Sequence, residues 1–256
     1  MTEFVKANRA APTGFSACET SGLGWLSAAP GGVPCVPVLR WDETSLTLQR
    51  LEAAAPTPDA AREFGRRLAS THDAGAAGFG APPDGWSGSG FFGPLADPLP
   101  MSLVPHDSWG RFYAAERLVP MRGYATGSLD AQTLELVDDV IGRCRAGEFD
   151  DDDRPARLHG DLWSGNLIWT ARGVVLIDPA AHGGHRETDL AMLALFGCPH
   201  LESVLSGYQS VHPLRAGWRD RRALHQLYPL LAHAALFGPG YAHQTASAAR
   251  AALDCE

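Results

Sequence analysis

The stretch RLHGDLWSGNLIWTARGVVLIDPA, residues 157 to 180, combines strand-forming apolar runs, tight turns and an unusual density of oxygen side chains. Leu167 to Trp169 and Val174 to Ile177 are short strands separated by an Ala-Arg-Gly turn, so the segment reads as a hairpin that returns the chain to its starting edge. Asp161 and Asn166 stand five apart with Gly160 and Gly165 between the flanking residues, and those glycines let the backbone turn sharply. Asp178 ends the return strand. The hairpin therefore predicts that Asp161, Asn166 and Asp178 share one end of the structure.

Acceptors that face one another without a cation repel or lose solvation, so Asn166 and Asp178 point to a shared hard metal ion. An oxygen-only pair suits Mg²⁺, which completes its coordination with water and substrate phosphate. Asp161 is then free to accept a proton from an attacking hydroxyl. A catalytic Asp, an Asn five positions later and a metal-binding Asp beyond a hairpin form the phosphoryl-transfer pattern of protein kinases. That pattern also demands a strand lysine for the nucleotide phosphates and a helical glutamate to hold it. Lys6 in EFVKA and Glu19 in the next helix supply both.

Composition narrows the function classes. The 256 residues, 45% hydrophobic and 20% charged, make an ordinary globular chain. A formal charge of -8 excludes a broad nucleic-acid footprint. No window reaches the length of apolar sequence a membrane span needs, and the start has no apolar leader core. Five cysteines at wide spacings without a C-x-x-C pair read as free thiols in a reducing compartment, so the expected location is cytoplasmic. The acidic run EFDDDDR (148–154) reads as a solvated loop rather than a metal site.

The expected order is a strand at 2–7, a helix at 14–28, strands at 34–39 and 45–51, and then a proline-broken bridge. An amphipathic helix follows from Asp59, read as its N-cap. Residues 74–106, rich in Gly, Pro and Ser, form a long irregular stretch. Helices are expected at 107–118 and 130–145, and from Glu187 to Ala251 with interruptions at Pro199, Pro213, Pro229 and Gly238 to Gly240.

Several segments resemble the fructosamine kinases (ketosamine-3-kinases) of the aminoglycoside-phosphotransferase-like, protein-kinase-like superfamily. HGDLWSGN with Trp163, IDPAAHGGHRETDLAML, LFG, FFGP (91–94), SWGRFYAAERLVP (108–120) and HQLYPLL (225–231) carry the similarity, which covers nearly all of residues 4 to 243. The resemblance implies an α+β, two-lobed kinase-like fold, with lobes at 1–52 and 53–256. It implies transfer of the ATP γ-phosphate to the 3-hydroxyl of a small ketosamine or glycated lysine, with Mg²⁺, as a deglycation step. In that frame Asp161 is the base, Asn166 and Asp178 hold Mg²⁺, and Lys6 with Glu19 hold phosphate. Backbone groups of Gln49 and Leu51 in the hinge LTLQRLE meet adenine. Asp189 supports the catalytic loop or caps its helix. Trp163 is a sugar-stacking platform or a loop anchor, His185 and Glu187 line the acceptor site, and His159 and His182 are structural. Gly160 and Pro179, where protein kinases have Arg and Phe-Gly, speak against control by a phosphorylated activation loop.

The family's glycine-rich hairpin precedes the lysine strand, and this sequence starts five residues before Lys6. The expected upper lobe is therefore a truncated sheet of three strands and one helix, whose exposed Phe4 and Val5 edge offers a route to a homodimer. Two other functions remain open at this point: phosphorylation of aminoglycosides or other amino sugars, and a weakly active or inactive kinase-like binding protein.

Overall fold

The structure, a computed structural model, describes residues 2–255. Strands β1 (Glu3–Ala7), β2 (Val38–Trp41) and β3 (Ser45–Gln49) form an antiparallel sheet in the order β1-β3-β2, with Lys6 opposite Leu46. β1 is an outer strand, and its Phe4 and Val5 are exposed. Helix α1 (Phe15–Ser27) buries Leu23 and Leu26 in the same core as Leu46 and Leu48 of β3.

The strand expected at 34–39 is divided. Its first half leaves the sheet: Val36 N–H donates to the Leu176 carbonyl and Leu176 N–H to the Pro34 carbonyl, both at 2.9 Å. Pro34 and Pro37 have no N–H to give a ladder on both sides, which moves the regular strand on to Val38. This short pairing joins the upper sheet to the catalytic hairpin below. That hairpin is β7 (Leu167–Thr170) with β8 (Gly173–Leu176), in the register Leu167 to Leu176.

Helix α2 (Pro58–Asp73) starts two residues earlier than expected. Thr57, not Asp59, is its cap, accepting from Ala60 N–H at 3.2 Å, because Pro58 occupies the first helical position, where its missing donor costs nothing. Phe64 and Leu68 on its apolar face are buried in the core, and His72 is fully buried. Inside 74–106 the chain makes a small hairpin, β4 (Gly90–Phe92) with β5 (Leu99–Met101), and is otherwise irregular.

The lower lobe is mostly helical. α3 (Trp109–Phe112) runs through a π-helical turn (Tyr113–Leu118) into α4 (Val119–Tyr124), and α5 (Ala131–Ala146) is capped by Asp130. After β6 (Ala156–Leu158) and its partner β9 (His182–Gly184) come α6 (Glu187–Phe196), α7 (Leu201–Gln209), α8 (Trp218–Phe237) and α9 (Ala242–Leu253). Pro229 does not end a helix as expected; α8 continues through it. Its ring removes one donor from the ladder, and the same stretch is opened by the Tyr113 hydroxyl. That hydroxyl donates to the Leu224 carbonyl at 2.8 Å and accepts from Tyr228 N–H at 3.1 Å. Leu224 and Tyr228 would otherwise bond each other, so an inserted side chain replaces one helical rung.

Two apolar cores result. One, among α3 to α5, α8 and α9, includes Phe112, Tyr113, Leu118, Val140 and Leu231. The other takes residues from α1 and β3 above and from α2, the catalytic hairpin, α6 and α7 below, so one core spans both lobes. Tyr113→Phe leaves Leu224 O and Tyr228 N–H buried without partners. Chemical denaturation is expected to show a loss of about 1–3 kcal/mol, and unchanged stability would refute the bridging role.

Candidate active site

The loop after β6 is held from behind by one buried carboxylate. Asp189, in the first turn of α6, is fully buried and accepts from the backbone N–H groups of His159 at 2.8 Å and Gly160 at 3.0 Å. It also pairs with His72 Nε2 at 3.2 Å, while Tyr208 Oη meets His72 Nδ1 at 2.8 Å. Burial opposes its ionised form, yet these partners outweigh it and hold the carboxyl below the ordinary Asp range. Asp189 thus braces the loop and is not the cap of α6.

His159 completes the brace. Its Nε2 lies 2.9 Å from the Ile177 carbonyl and its Nδ1 accepts from Asp161 N–H at 3.2 Å. Burial lowers its pKa, which keeps the ring neutral and leaves Nδ1 free to accept. Gly160 has φ +80°, and a Cβ there would collide with the Ala180 carbonyl oxygen. Only glycine fits between His159 and Asp161. The Trp163 indole folds over Gly165 closely enough to exclude any side chain there as well.

The hairpin brings Asp161, Asn166 and Asp178 to one cleft, as its geometry predicts. Asn166 Nδ2 donates to the Asp161 carbonyl at 2.8 Å, to Asp161 Oδ2 at 3.0 Å and, at the limit of 3.5 Å, to the Asp178 carbonyl. Its amide oxygen has no protein partner among the described residues. Asp178 adopts φ +53°, a left-handed conformation uncommon outside glycine, which aims its carboxylate toward Lys6. Lys6 Nζ reaches both Glu19 oxygens at 2.9 and 2.8 Å and Asp178 Oδ1 at 3.0 Å. Burial lowers the lysine pKa, but Glu19 and Asp178 override it and keep the ammonium charged. Asp161 has no such cation. Burial, offset in part by the Asn166 hydrogen bond, pushes its carboxyl up to about 7.

These groups line a cleft of about 230 Å³ whose remaining walls include Phe15, Phe91, Phe92, Leu95, Trp163, His233 and Phe237. A neighbouring cavity of about 570 Å³ is lined by Val36, Leu48, Gln49, Leu51, Ile168 and Ile177, and it shares Lys6, Leu95 and Asp178 with the first. Of the aromatic walls, Trp163 was among the predicted site residues, and Phe15, Phe91, Phe92, His233 and Phe237 were not. Phe91 and Phe92 lie in FFGP and His233 and Phe237 are four apart on α8, so helical spacing carried a signal for the latter pair.

His185 and Glu187 do not reach this cleft. Both are buried behind the catalytic loop: Glu187 is clamped by Arg221 Nη2 and Nε at 2.6 and 3.0 Å, with His225 at 3.5 Å, and His185 Nε2 lies 3.2 Å from Asp151. The acidic loop is likewise no solvated tail. Asp150 accepts from Ser108 and Gly110, Asp151 meets His185 and Arg215, and Asp153 meets Arg186, while Asp152 stays exposed with Arg215 at 3.5 Å. Spacing revealed neither network, because the partners lie in segments distant in sequence.

A braced Asp, a metal-competent Asn and Asp, and a Lys–Glu pair between a small sheet and a helical lobe define a protein-kinase-like phosphotransferase. A model of the fructosamine kinase family matches residues 2–254. A probable ketoamine kinase of Synechocystis is 33% identical over 94% of this chain and 79% of its own length. The crystal structure of a candidate fructosamine-3-kinase from Thermobifida fusca superposes with a TM-score of 0.89 at 45% identity, covering 98% of this chain and 85% of that one. A choline/ethanolamine kinase family protein from Mesorhizobium loti shares the fold, with a TM-score of 0.57 at 15% identity over 99% of this chain and 80% of that one. The chain belongs to the fructosamine kinase family. Among the described residues, no helix is long and apolar enough to cross a membrane.

The Glu187 clamp makes a pH prediction. Burial raises its pKa, but the His225 and Arg221 hydrogen bonds reverse this and bring it from an ordinary 4.5 down to about 2. A depressed carboxyl stabilises the fold above its unfolded pKa, and that stability is lost as pH falls through the folded value. Glu187→Gln should therefore cost on the order of 2–3 kcal/mol near neutral pH. In parallel urea titrations the cost should shrink from pH 4.5 toward 2; a cost independent of pH would contradict the clamp.

Proposed function

We propose that the chain is a ketosamine-3-kinase, transferring the γ-phosphoryl group of ATP to the 3-hydroxyl of a fructosamine-type sugar on a small amine or a lysine side chain. The observation that carries this reading is the placement of Asp161: a carboxylate without a cation partner among the described residues, at the floor of a sugar-sized cleft. Burial raises its pKa from the ordinary Asp range, which strengthens it as a base toward the proton of a sugar hydroxyl as the bond to phosphorus forms. Asn166 holds its carboxylate in place.

Lys6, fixed by Glu19, neutralises phosphate oxygens where the two cavities meet. The cavity beside Gln49 and Leu51 takes the adenine, with 46–52 as the hinge between lobes 1–52 and 53–256. The Asn166 amide oxygen and the Asp178 carboxylate make an all-oxygen donor set that fits Mg²⁺, whose charge offsets that of the phosphates.

An amino-sugar antibiotic is the poorer acceptor. Beyond Glu19, Asp161 and Asp178, no carboxylate is among the residues lining the cleft, so a polycation finds no acidic wall. The aromatic walls suit the apolar face of a sugar instead, with Trp163 as the stacking platform. An inactive binding module is disfavoured because Lys6, Glu19, Asp161, Asn166 and Asp178 all line one cleft.

Asp161→Asn should fold and bind ATP with Mg²⁺ as the parent does, yet lose on the order of 10² to 10⁴ in kcat on a fructosamine. Turnover equal to the parent's would reject Asp161 as the base, and absence of any phosphorylated fructosamine from the parent would reject the acceptor.

A further inference from the structure

The cleft continues past Trp163. Beside it lies an open depression of about 300 Å³ lined by Trp163, Phe196, His233, Phe237 and Tyr241. Trp163, His233 and Phe237 line both spaces, which makes them one trough. The walls come from the catalytic loop, the end of α6, the last turns of α8 and the short turn Pro239–Tyr241.

The rings support one another. Phe196 lies edge-on to Trp163 at 6.3 Å and stacks on His233 at 4.6 Å, and Tyr241 packs at 5.0 Å from His233 and 6.3 Å from Phe237. Trp163 and Phe237 nonetheless remain 39% and 59% exposed. A contiguous exposed aromatic surface beside a reaction cleft marks a binding surface more often than scattered apolar residues do. The ring faces carry no formal charge: no carboxylate lines the depression, and His233, tied to the Pro229 carbonyl at 2.7 Å, is kept neutral by burial.

We propose that this cage is the subsite for the amine substituent of the acceptor, and that it selects ketosamines whose nitrogen bears a bulky alkyl or aryl group, such as a lysyl stem, over those of small amines. The inference rests on the ketosamine reading above. In such a substrate the nitrogen is separated from the reacting sugar hydroxyl by a short carbon bridge, so a sugar stacked on Trp163 directs its substituent along the trough. The nitrogen is a secondary ammonium, which electron-rich ring faces attract without a carboxylate. The apolar group beyond it gains by leaving water. Lacking an ion pair, the cage discriminates by apolar bulk rather than by charge.

The test uses two synthetic fructosamines, one made from methylamine and one from benzylamine, with the parent chain and with Tyr241→Ala and Phe196→Ala, whose side chains line the cage and not the reaction cleft. The parent should favour the benzylamine adduct by about tenfold in kcat/KM, mainly through KM, a difference that corresponds to about 1.4 kcal/mol. Each variant should lose most of that preference and keep its rate on the methylamine adduct within about twofold of the parent's, since only the bulky substituent gains cage contact. No preference in the parent, or the same loss on both adducts, overturns the proposal. If neither adduct is phosphorylated, the ketosamine reading fails separately, and calorimetric titration of the same two compounds decides the cage. Tighter binding of the benzylamine adduct that Tyr241→Ala abolishes supports it, and equal or undetectable binding overturns it.

Discussion

The buried Asp189 carboxylate organises the catalytic end of the molecule. It is fully enclosed, and its partners are two consecutive backbone N–H groups of the loop and a histidine ring from α2. A buried charge is tolerable only when so satisfied, and removing a partner exposes the rest to the full desolvation cost. The loop therefore cannot drift from α6 without leaving a charge stranded. Because His159 in turn binds Ile177 O and Asp161 N–H, the same constraint reaches both the return strand and the residue at the cleft floor.

This brace also fixes how charge is divided. Lys6 is committed to Glu19 and Asp178, and among the described residues no cation reaches Asp161. Asp161 and Asp178 thus stand in different environments within one cleft: Asp178 is paired with a cation, while burial raises the Asp161 pKa. A lysine shared between both would lower the Asp161 pKa and, on the proposed reading, weaken it as a base.

The hairpin, its three oxygens, the Lys6–Glu19 pair and the helical lower lobe were legible because their signals are local: alternation, turn glycines and fixed spacing. Four features were not. Thr57 displaced Asp59 as a cap because Pro58 takes the first helical position. Pro229 sits inside α8, where Tyr113 spans the opened rung from a remote segment. His185 and Glu187, read as acceptor-site residues, are consumed by Arg221, His225 and the acidic loop. That loop, read as solvated, finds its cations in segments distant in sequence, Arg186 just before α6 and Arg215 between α7 and α8. Each miss depends on a partner that no local pattern reveals.

Besides the apolar core they share, the lobes are linked by a backbone path. Lys6 is registered against Leu46 of β3, whose Leu48 faces Val38, and the chain just before Val38 exchanges two hydrogen bonds with Leu176. Asp178 lies only two residues beyond. A continuous hydrogen-bonded path therefore connects the ammonium to the carboxylate it meets, and backbone ladders are stiffer than the long lysine side chain that closes the circuit. Sliding β1 by one residue would flip Lys6 to the opposite face of the sheet. The register of a short outer strand thus decides whether the Lys6 ammonium lies in the cleft at all.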